Sequence, residues 1–249
     1  MRHLLFLFSV IIVFILVTGC KEEVVTVPSA SPLTTEDTTF VTIPAGSFVN
    51  SSGETIEMES FQLQKTEVNN RLYRYLADIA TLSYPADPAF ISLENYFYEY
   101  PEYPVVNISA NSAEIAASVI GARLPTRNEW EYAASLGLTG DISEQFPWGE
   151  LSATEVPGVP ANYMALDNWE ERDLDGFLYT APVGSYPLSN AGLADLSGNV
   201  SEMVSHPSDT TIHLVGGSWL NVEDVMTIGY HREVLSGDIS WFAGFRLAR

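Results

Sequence analysis

The chain has 249 residues, 46% of them hydrophobic, and a formal net charge of −21. This length supports one domain with a sizeable core, and the acidic balance disfavours nucleic acid and anionic lipid head groups as partners. The single cysteine, Cys20, excludes a disulfide framework. If its thiol carries a lipid, thiolate metal sites and cysteine nucleophiles are excluded as well.

Residues 1–19 have the pattern of a secretory signal peptide. Arg2 and His3 precede an apolar run over residues 4–17, which is short for a membrane span. The run ends in Leu-Val-Thr-Gly-Cys, which resembles a bacterial lipobox, so we expect cleavage before Cys20 and lipid on its thiol. The alternative is an uncleaved N-terminal anchor. A lipidated Cys20 and an uncleaved anchor would both place the protein at the cell envelope, and we expect the outer membrane.

Residues 20–39 are predicted to form a flexible tether that carries the lipid. They are rich in Ser, Thr and Pro and have no helical or strand period. Lys-Glu-Glu after the cysteine resembles the surface-export signal of Bacteroidetes lipoproteins, but we favour a generic charged tether because three residues are a weak signal. We place the folded domain at residues 40–249.

The domain begins with residues 41–48, whose alternation followed by a turn predicts a strand entering a hairpin, and residues 56–64 alternate again. Asn69 is a predicted N-cap for the helix that follows. The residues that recur at helical spacing there, and that we expect in the core, are Leu72, Tyr75, Leu76 and Ile79. Residues 80–104 are rich in Tyr, Phe and Pro. We expect these aromatics to pack onto the domain, and stacking on sugars or peptides is the alternative.

Two further stretches carry strong local signals. In residues 123–134, Thr126 and Glu129 form a predicted capping box at the start of a helix. Residues 192–219 contain four glycines around Asn199 and Glu202, which predicts a polar loop. Hydrogen bonds alone, or oxygen ligation of a hard cation such as Ca²⁺, would hold that loop.

These stretches resemble the formylglycine-generating-enzyme, or sulfatase-modifying factor, family. The matching motifs are RLPTRNEWEYAA, FPWG, GLADLSGNVSE, GGSW and GFR, and the resemblance covers residues 40–249. It implies an α+β fold of the modified C-type-lectin-like kind, loop-rich and single-domain.

The resemblance also implies two structural Ca²⁺ sites. The first would use the side chains of Asn162 and Asp175 with the carbonyls of Tyr163 and Phe177. The second would lie in the loop of Asn199, Val200 and Glu202. Ser201 and Met203 depart from the family, which usually has Trp at both positions.

The copper-dependent oxidases of this family bind copper(I) through two cysteines, whose positions are occupied here by Asn221 and Met226. Asparagine is a poor ligand for a soft ion, so we expect no copper and no formylglycine synthesis. The family's following arginines fall at Thr227 and His231, with Arg232 adjacent. We therefore predict a vacated active-site groove at Asn221, Met226, His231 and Arg232.

After the signal segment the histidines are His206, His213 and His231, and no two have a short metal-binding spacing. We expect surface or capping roles for them. The favoured function is a non-catalytic binding or assembly module with a protein or glycan partner. The alternatives are an enzyme with a cysteine-independent oxidative mechanism, using Glu202, Glu223 and Asp224, and a ligand-binding C-type-lectin-like receptor.

Overall fold

A computed structural model of the protein describes residues 32–164, 175–206 and 210–249. The predicted signal peptide, Cys20 and the first part of the tether lie outside the described residues. The elements are β1 (Phe40–Ile43), β2 (Gly46–Val49), β3 (Thr55–Met58), β4 (Phe61–Gln64), α1 (Asn70–Ala80), α2 (Tyr96–Glu99), α3 (Ala110–Ser118), α4 (Arg127–Ser135), β5 (Ser201–Ser205), β6 (Thr211–Val215), β7 (His231–Leu235) and β8 (Ala243–Gly244). None of the helices in this part of the chain has the length and apolar character that crossing a bilayer requires.

The strands form three small sheets. β1 pairs with β4, and β2 forms an antiparallel hairpin with β3. The hairpin after the first strand was predicted, but each alternating segment contains two short strands. The third sheet has the order β7-β6-β5-β8, in which β8 runs parallel to β5 and the other neighbours are antiparallel. This mixture of helices and mainly antiparallel strands in one domain confirms the predicted α+β class.

The four-stranded sheet separates two hydrophobic clusters. Because side chains alternate along a strand, Met203 and Leu214 face a cluster built by α1 and α3. Val204 and Val215 face the opposite way, towards Trp130 of α4 and the β1–β4 pair. We call this second side the α4 face of the sheet.

The helix caps follow the sequence prediction. The Asn69 side chain accepts a hydrogen bond from the Leu72 amide at 2.8 Å at the start of α1. Thr126 and Glu129 form the expected capping box on α4. Leu72 and Leu76 are buried as predicted, but Tyr75 and Ile79 are 45% and 54% exposed. The buried face of α1 is centred on Leu72, Tyr73, Leu76 and Ala77, and the two exposed residues lie outside it.

The last part of the predicted tether is packed against the domain. Glu36–Thr38 form a short 3₁₀ helix, and the buried Asp37 accepts a hydrogen bond from Asn69 and pairs with Arg71 at 3.0 Å. The fixed part of the chain therefore starts before residue 40. The aromatic segment packs inward, as expected, with Phe90, Tyr96 and Phe97 buried.

Candidate functional site

The loop before β5 is held tightly against Asn162. Gly198 has φ +78°, and a Cβ there would lie 2.2 Å from the Asn162 carbonyl oxygen, so only glycine fits. Asn199 also has a positive φ, and its amide donates to the same carbonyl oxygen at 2.8 Å. The two loops predicted to bind calcium thus touch each other.

The Asn199 side chain is fully engaged inside the protein. Its Oδ1 accepts from the Ala181 amide at 2.8 Å, and its Nδ2 donates to Glu67 at 2.6 Å. Glu67 also accepts from the Val200 amide at 3.1 Å. Burial, and then the negative charges of Asp195 and Glu202, raise the pKa of Glu67 well above its usual value.

Glu202 forms a buried ion pair. Arg246 donates to it through Nε at 2.6 Å and through Nη2, and Trp130 Nε1 donates at 2.9 Å. Arg246 also donates to the backbone oxygens of Gln64 and Ala194. We call these side chains, with Glu67, the Glu202–Arg246 network. The carboxylate oxygens expected on a second Ca²⁺ are occupied by the arginine, so the second loop does not fit that ion.

The first predicted calcium loop lies partly outside the described residues. Residues 165–174, which fall between Tyr163 and Asp175 in the chain, are not described. Asp175 accepts from the Phe177 amide at 3.1 Å and from the Tyr186 hydroxyl at 2.9 Å. Burial and the Asp175 charge raise the pKa of Tyr186. The other two predicted ligand residues with described side chains nearby in the chain, Asn162 and Tyr163, are both buried. Calcium at this loop stays a prediction.

The residues expected to line one vacated groove do not do so. Met226 is fully buried with Phe146 and Tyr163, and Asn221 accepts a hydrogen bond from the Ser218 hydroxyl at 2.7 Å. His231 and Arg232 are successive residues of β7, so their side chains point to opposite faces of the sheet. Arg232 lines a cleft with Met203, Leu214 and Val234. The expectation followed sequence order, whereas strand alternation sends the side chains of His231 and Arg232 to opposite faces of the sheet and Met226 packs into an apolar cluster.

The three histidines, for which surface or capping roles were expected, lie close together in the structure. His213 of β6 lies directly opposite Glu233 of β7, and His231 precedes Glu233 by two residues on the same face. His206 follows β5, and its ring centroid lies 4.5 Å from that of His213, which lies 4.7 Å from that of His231. All four residues are on the α4 face. Strand pairing brings them together, and their spacing along the chain does not indicate that pairing.

His206 and His213 border an open cleft of about 480 Å³, which we call the histidine cleft. Its lining includes Asn50, Ser52, Glu54, Arg127, His206 and His213. Burial, followed by the charges of His231, His206 and Arg127, lowers the pKa of His213 to about 4. His213 is therefore a neutral imidazole at physiological pH.

The comparison with known families identifies the domain. A sequence profile described as "Sulfatase-modifying factor enzyme 1-like domain" matches residues 25–249. The chain belongs to this family.

Curated relatives of this sulfatase-modifying factor domain include both active and inactive members by name. The chain is 40% identical over 111 residues to the formylglycine-generating enzyme of Streptomyces coelicolor, which covers 42% of the chain and 32% of the relative. It is 34% identical over 128 residues to the inactive C-alpha-formylglycine-generating enzyme 2 of Bos taurus, which covers 49% and 40%. The chain thus matches less than half the length of these relatives.

Two solved structures share the fold. PvdO from Pseudomonas aeruginosa superposes with a TM-score of 0.65 at 21% identity, over 84% of this chain and 93% of its own. CarF superposes with a TM-score of 0.63 at 21% identity, over 85% and 97%. At these identities the likeness shows the fold alone.

In this family member the three carboxylates considered for a cysteine-independent mechanism have separate surroundings. Glu202 is enclosed in the Glu202–Arg246 network, and Glu223 accepts from the Ala153 amide at 2.9 Å. Asp224 is exposed to solvent. Since an acid–base pair needs both groups within reach of one substrate, this arrangement does not favour that mechanism.

Proposed function

We propose that this protein is a lipid-anchored binding or assembly module of a bacterial cell envelope, built on a non-catalytic sulfatase-modifying factor domain. The observation that carries the proposal is the state of the two positions at which the family's oxidases have copper-binding cysteines. Met226 is buried in an apolar cluster, and Asn221 is held by Ser218. Neither side chain supplies a thiolate. A curated relative that carries the word inactive in its name supports this assignment.

A small apolar cleft beside these positions suits a partner. The tryptophan cleft, of about 190 Å³, is lined by Pro147, Trp148, Val156, Pro160, Pro187 and Leu188, together with Ser197 and other residues. Ser197 donates a hydrogen bond to the Met226 carbonyl at 2.8 Å, so the cleft adjoins the former copper position. Leu188 is 52% exposed, and an exposed leucine beside Trp and Pro suits an apolar segment of a protein partner.

The binding role is tested by crosslinking in intact cells. A photo-reactive residue at Leu188 should capture a defined partner, and Trp148→Ala should reduce that capture. The matched control is a photo-reactive residue at Ile115 on α3, which is similarly exposed at 48%. Equal capture from both positions would count against the cleft, and capture of a glycan rather than a protein would change the partner class.

Anchoring and the lack of oxidase activity are tested separately. Cys20→Ser should release the protein from the membrane fraction and abolish incorporation of a labelled fatty acid. The purified chain should leave a cysteine-containing sulfatase peptide unchanged under conditions in which an active family member forms the aldehyde. Aldehyde formation would overturn the non-catalytic assignment.

We also propose a structural Ca²⁺ at the loop of Asn162, Tyr163, Asp175 and Phe177. Carboxylate, amide and carbonyl oxygens are the ligands that this ion prefers. Ca²⁺ should raise the melting temperature of the unmodified chain but not that of Asp175→Asn. A variant that still responds fully would remove Asp175 from the ligand set.

A further inference from the structure

We propose that His206, His213 and Glu233 form a binding site for a transition-metal dication of the Zn²⁺ class. The site lies on the α4 face of the four-stranded sheet, at the border of the histidine cleft. It is independent of the proposed binding role, which concerns a different cleft. It also uses none of the residues that stand at the family's copper-binding positions.

The ligand atoms are close enough for one ion. One atom from each of the three residues can be chosen so that all lie within 4.8 Å of one another. Tetrahedral zinc with bonds of about 2.0–2.1 Å needs ligand atoms roughly 3.3 Å apart. Small side-chain rotations supply the difference, and the Glu233 side chain is 57% exposed and has room to turn.

Strand pairing fixes the backbone positions of two of the proposed ligand residues. His213 and Glu233 are opposite each other across β6 and β7, so their side chains leave the same face of the sheet as neighbours. His206 follows β5 beside Thr211 of β6, with Nδ1 at 3.4 Å from the threonine hydroxyl oxygen. Two of the ligands, His213 and Glu233, therefore lie on paired strands, and the third, His206, lies one residue beyond the end of β5. Ligands held on strands need less ordering than ligands on a loop.

His213 supplies an independent sign of a missing partner. Its Nδ1 is buried and has no hydrogen-bond partner among the described residues. Its Nε2 is 3.9 Å from the Glu233 carboxylate, which is too long for a hydrogen bond. Buried polar groups in native proteins nearly always have a partner, so the orphaned nitrogen of an imidazole that packs against a second histidine and lies next to a carboxylate points to an ion.

The donor set selects the class of metal. Two imidazoles and a carboxylate suit Zn²⁺, Cu²⁺ or Ni²⁺, whereas Ca²⁺ and Mg²⁺ prefer oxygen ligands alone. Three protein ligands leave a coordination position open, as in catalytic rather than structural zinc sites. Since His206 and His213 both line the histidine cleft, that position is accessible to a small ligand.

His231 provides a control within the same cluster. Arginine only donates, so Arg127 Nη1 donates to His231 Nε2 at 3.0 Å, and His231 Nδ1 donates to the Gly229 carbonyl at 3.2 Å. Both ring nitrogens are engaged. His231 therefore packs against the site without serving as a ligand.

The test is a Zn²⁺ titration of the full chain, purified in detergent without a histidine tag, by calorimetry and by competition with a zinc indicator. We expect one Zn²⁺ per chain and no comparable effect of Ca²⁺ at this site. His213→Gln and Glu233→Gln should each weaken Zn²⁺ binding by more than about 100-fold, since even outer partners of metal ligands contribute roughly 10–100-fold. His231→Gln should change it by less than about 10-fold.

X-ray absorption of the zinc-loaded protein should show two imidazole ligands and oxygen. Glu233→Gln lies on an exposed strand position and should fold, so it remains informative if His213→Gln does not. Failure of the unmodified chain to bind Zn²⁺ would overturn the proposal. It would also be overturned if Glu233→Gln binds normally, or if His231→Gln loses as much affinity as the ligand variants.

Discussion

The α4 face of the four-stranded sheet has two polar regions that differ in how their polar atoms are satisfied. At the start of β5, Glu202 is fully buried, and its oxygens accept from Arg246 and Trp130. Beyond the end of the same strand, His206 and His213 line an open cleft, and the buried His213 Nδ1 has no hydrogen-bond partner among the described residues. The first region is enclosed and its polar atoms are paired, whereas the second is open to solvent.

The largest expected effect comes from breaking the closed region. Arg246→Met leaves the Glu202 charge buried and unpaired, so the free energy of unfolding should fall by about 3–5 kcal/mol. Denaturant-induced unfolding measures it. Arg232→Met is the control, because Arg232 is exposed on β7 and its replacement should cost about 0.5 kcal/mol or less. Similar losses in both variants would contradict a structural role for the buried pair.

The pH dependence of stability sharpens the same contrast. Burial raises the pKa of Asp195 from 3.8 to about 6. Because the folded-state pKa is the higher one, Asp195 favours folding below pH 4, and this contribution is lost as the pH rises to 6. Relative to Asp195→Asn, the wild-type stability should fall on the order of 2–3 kcal/mol between pH 4 and 7. Parallel curves for the two proteins would rule this out.

An intermediate effect is expected where the two regions meet. Thr126 caps α4, lines the histidine cleft and bridges to Ser205 at the end of β5. Thr126→Ala removes the cap and should lower the free energy of unfolding by about 1 kcal/mol, while Thr126→Ser should retain most of it. Thermal unfolding of the two variants separates loss of the hydroxyl from loss of the methyl group.

The smallest effect should come from the open region. Glu233→Gln in metal-free protein should change the free energy of unfolding by less than about 0.5 kcal/mol, because the side chain is exposed and its neighbour His213, 3.9 Å away, is neutral at physiological pH. Denaturant unfolding in the presence of a chelator measures it. A loss comparable to that of Arg246→Met would mean that the open region is also structural.

Local chemistry explains which features the sequence predicted. The caps at Asn69 and Thr126 depend on residues three positions apart, so short motifs suffice to place them. The strands within residues 41–48 and 56–64 are likewise predicted by the alternation of apolar and polar residues. The exposed Tyr75 and Ile79 show the limit of this approach, because helical spacing alone does not say which neighbouring face the core will cover.

The sites depended on pairing over long distances in the chain. Glu202 and Arg246 are 44 residues apart. The loop motif around Glu202 does not indicate that its carboxylate forms an ion pair with Arg246. The histidines meet only because β6 pairs with both β5 and β7, which fixes three segments in register. No local period encodes that register, so the cluster was missed.

The position of β8 has a consequence for biogenesis. Phe245 and Leu247 complete the cluster against α1 and α3, Ala248 completes the one on the α4 face, and Arg246 between them neutralises Glu202. Helices α1 and α3, more than 100 positions earlier in the chain, therefore depend on this late segment before their core is complete. A chain that ends before residue 243 should stay sensitive to protease, whereas the full-length chain should become resistant once it folds.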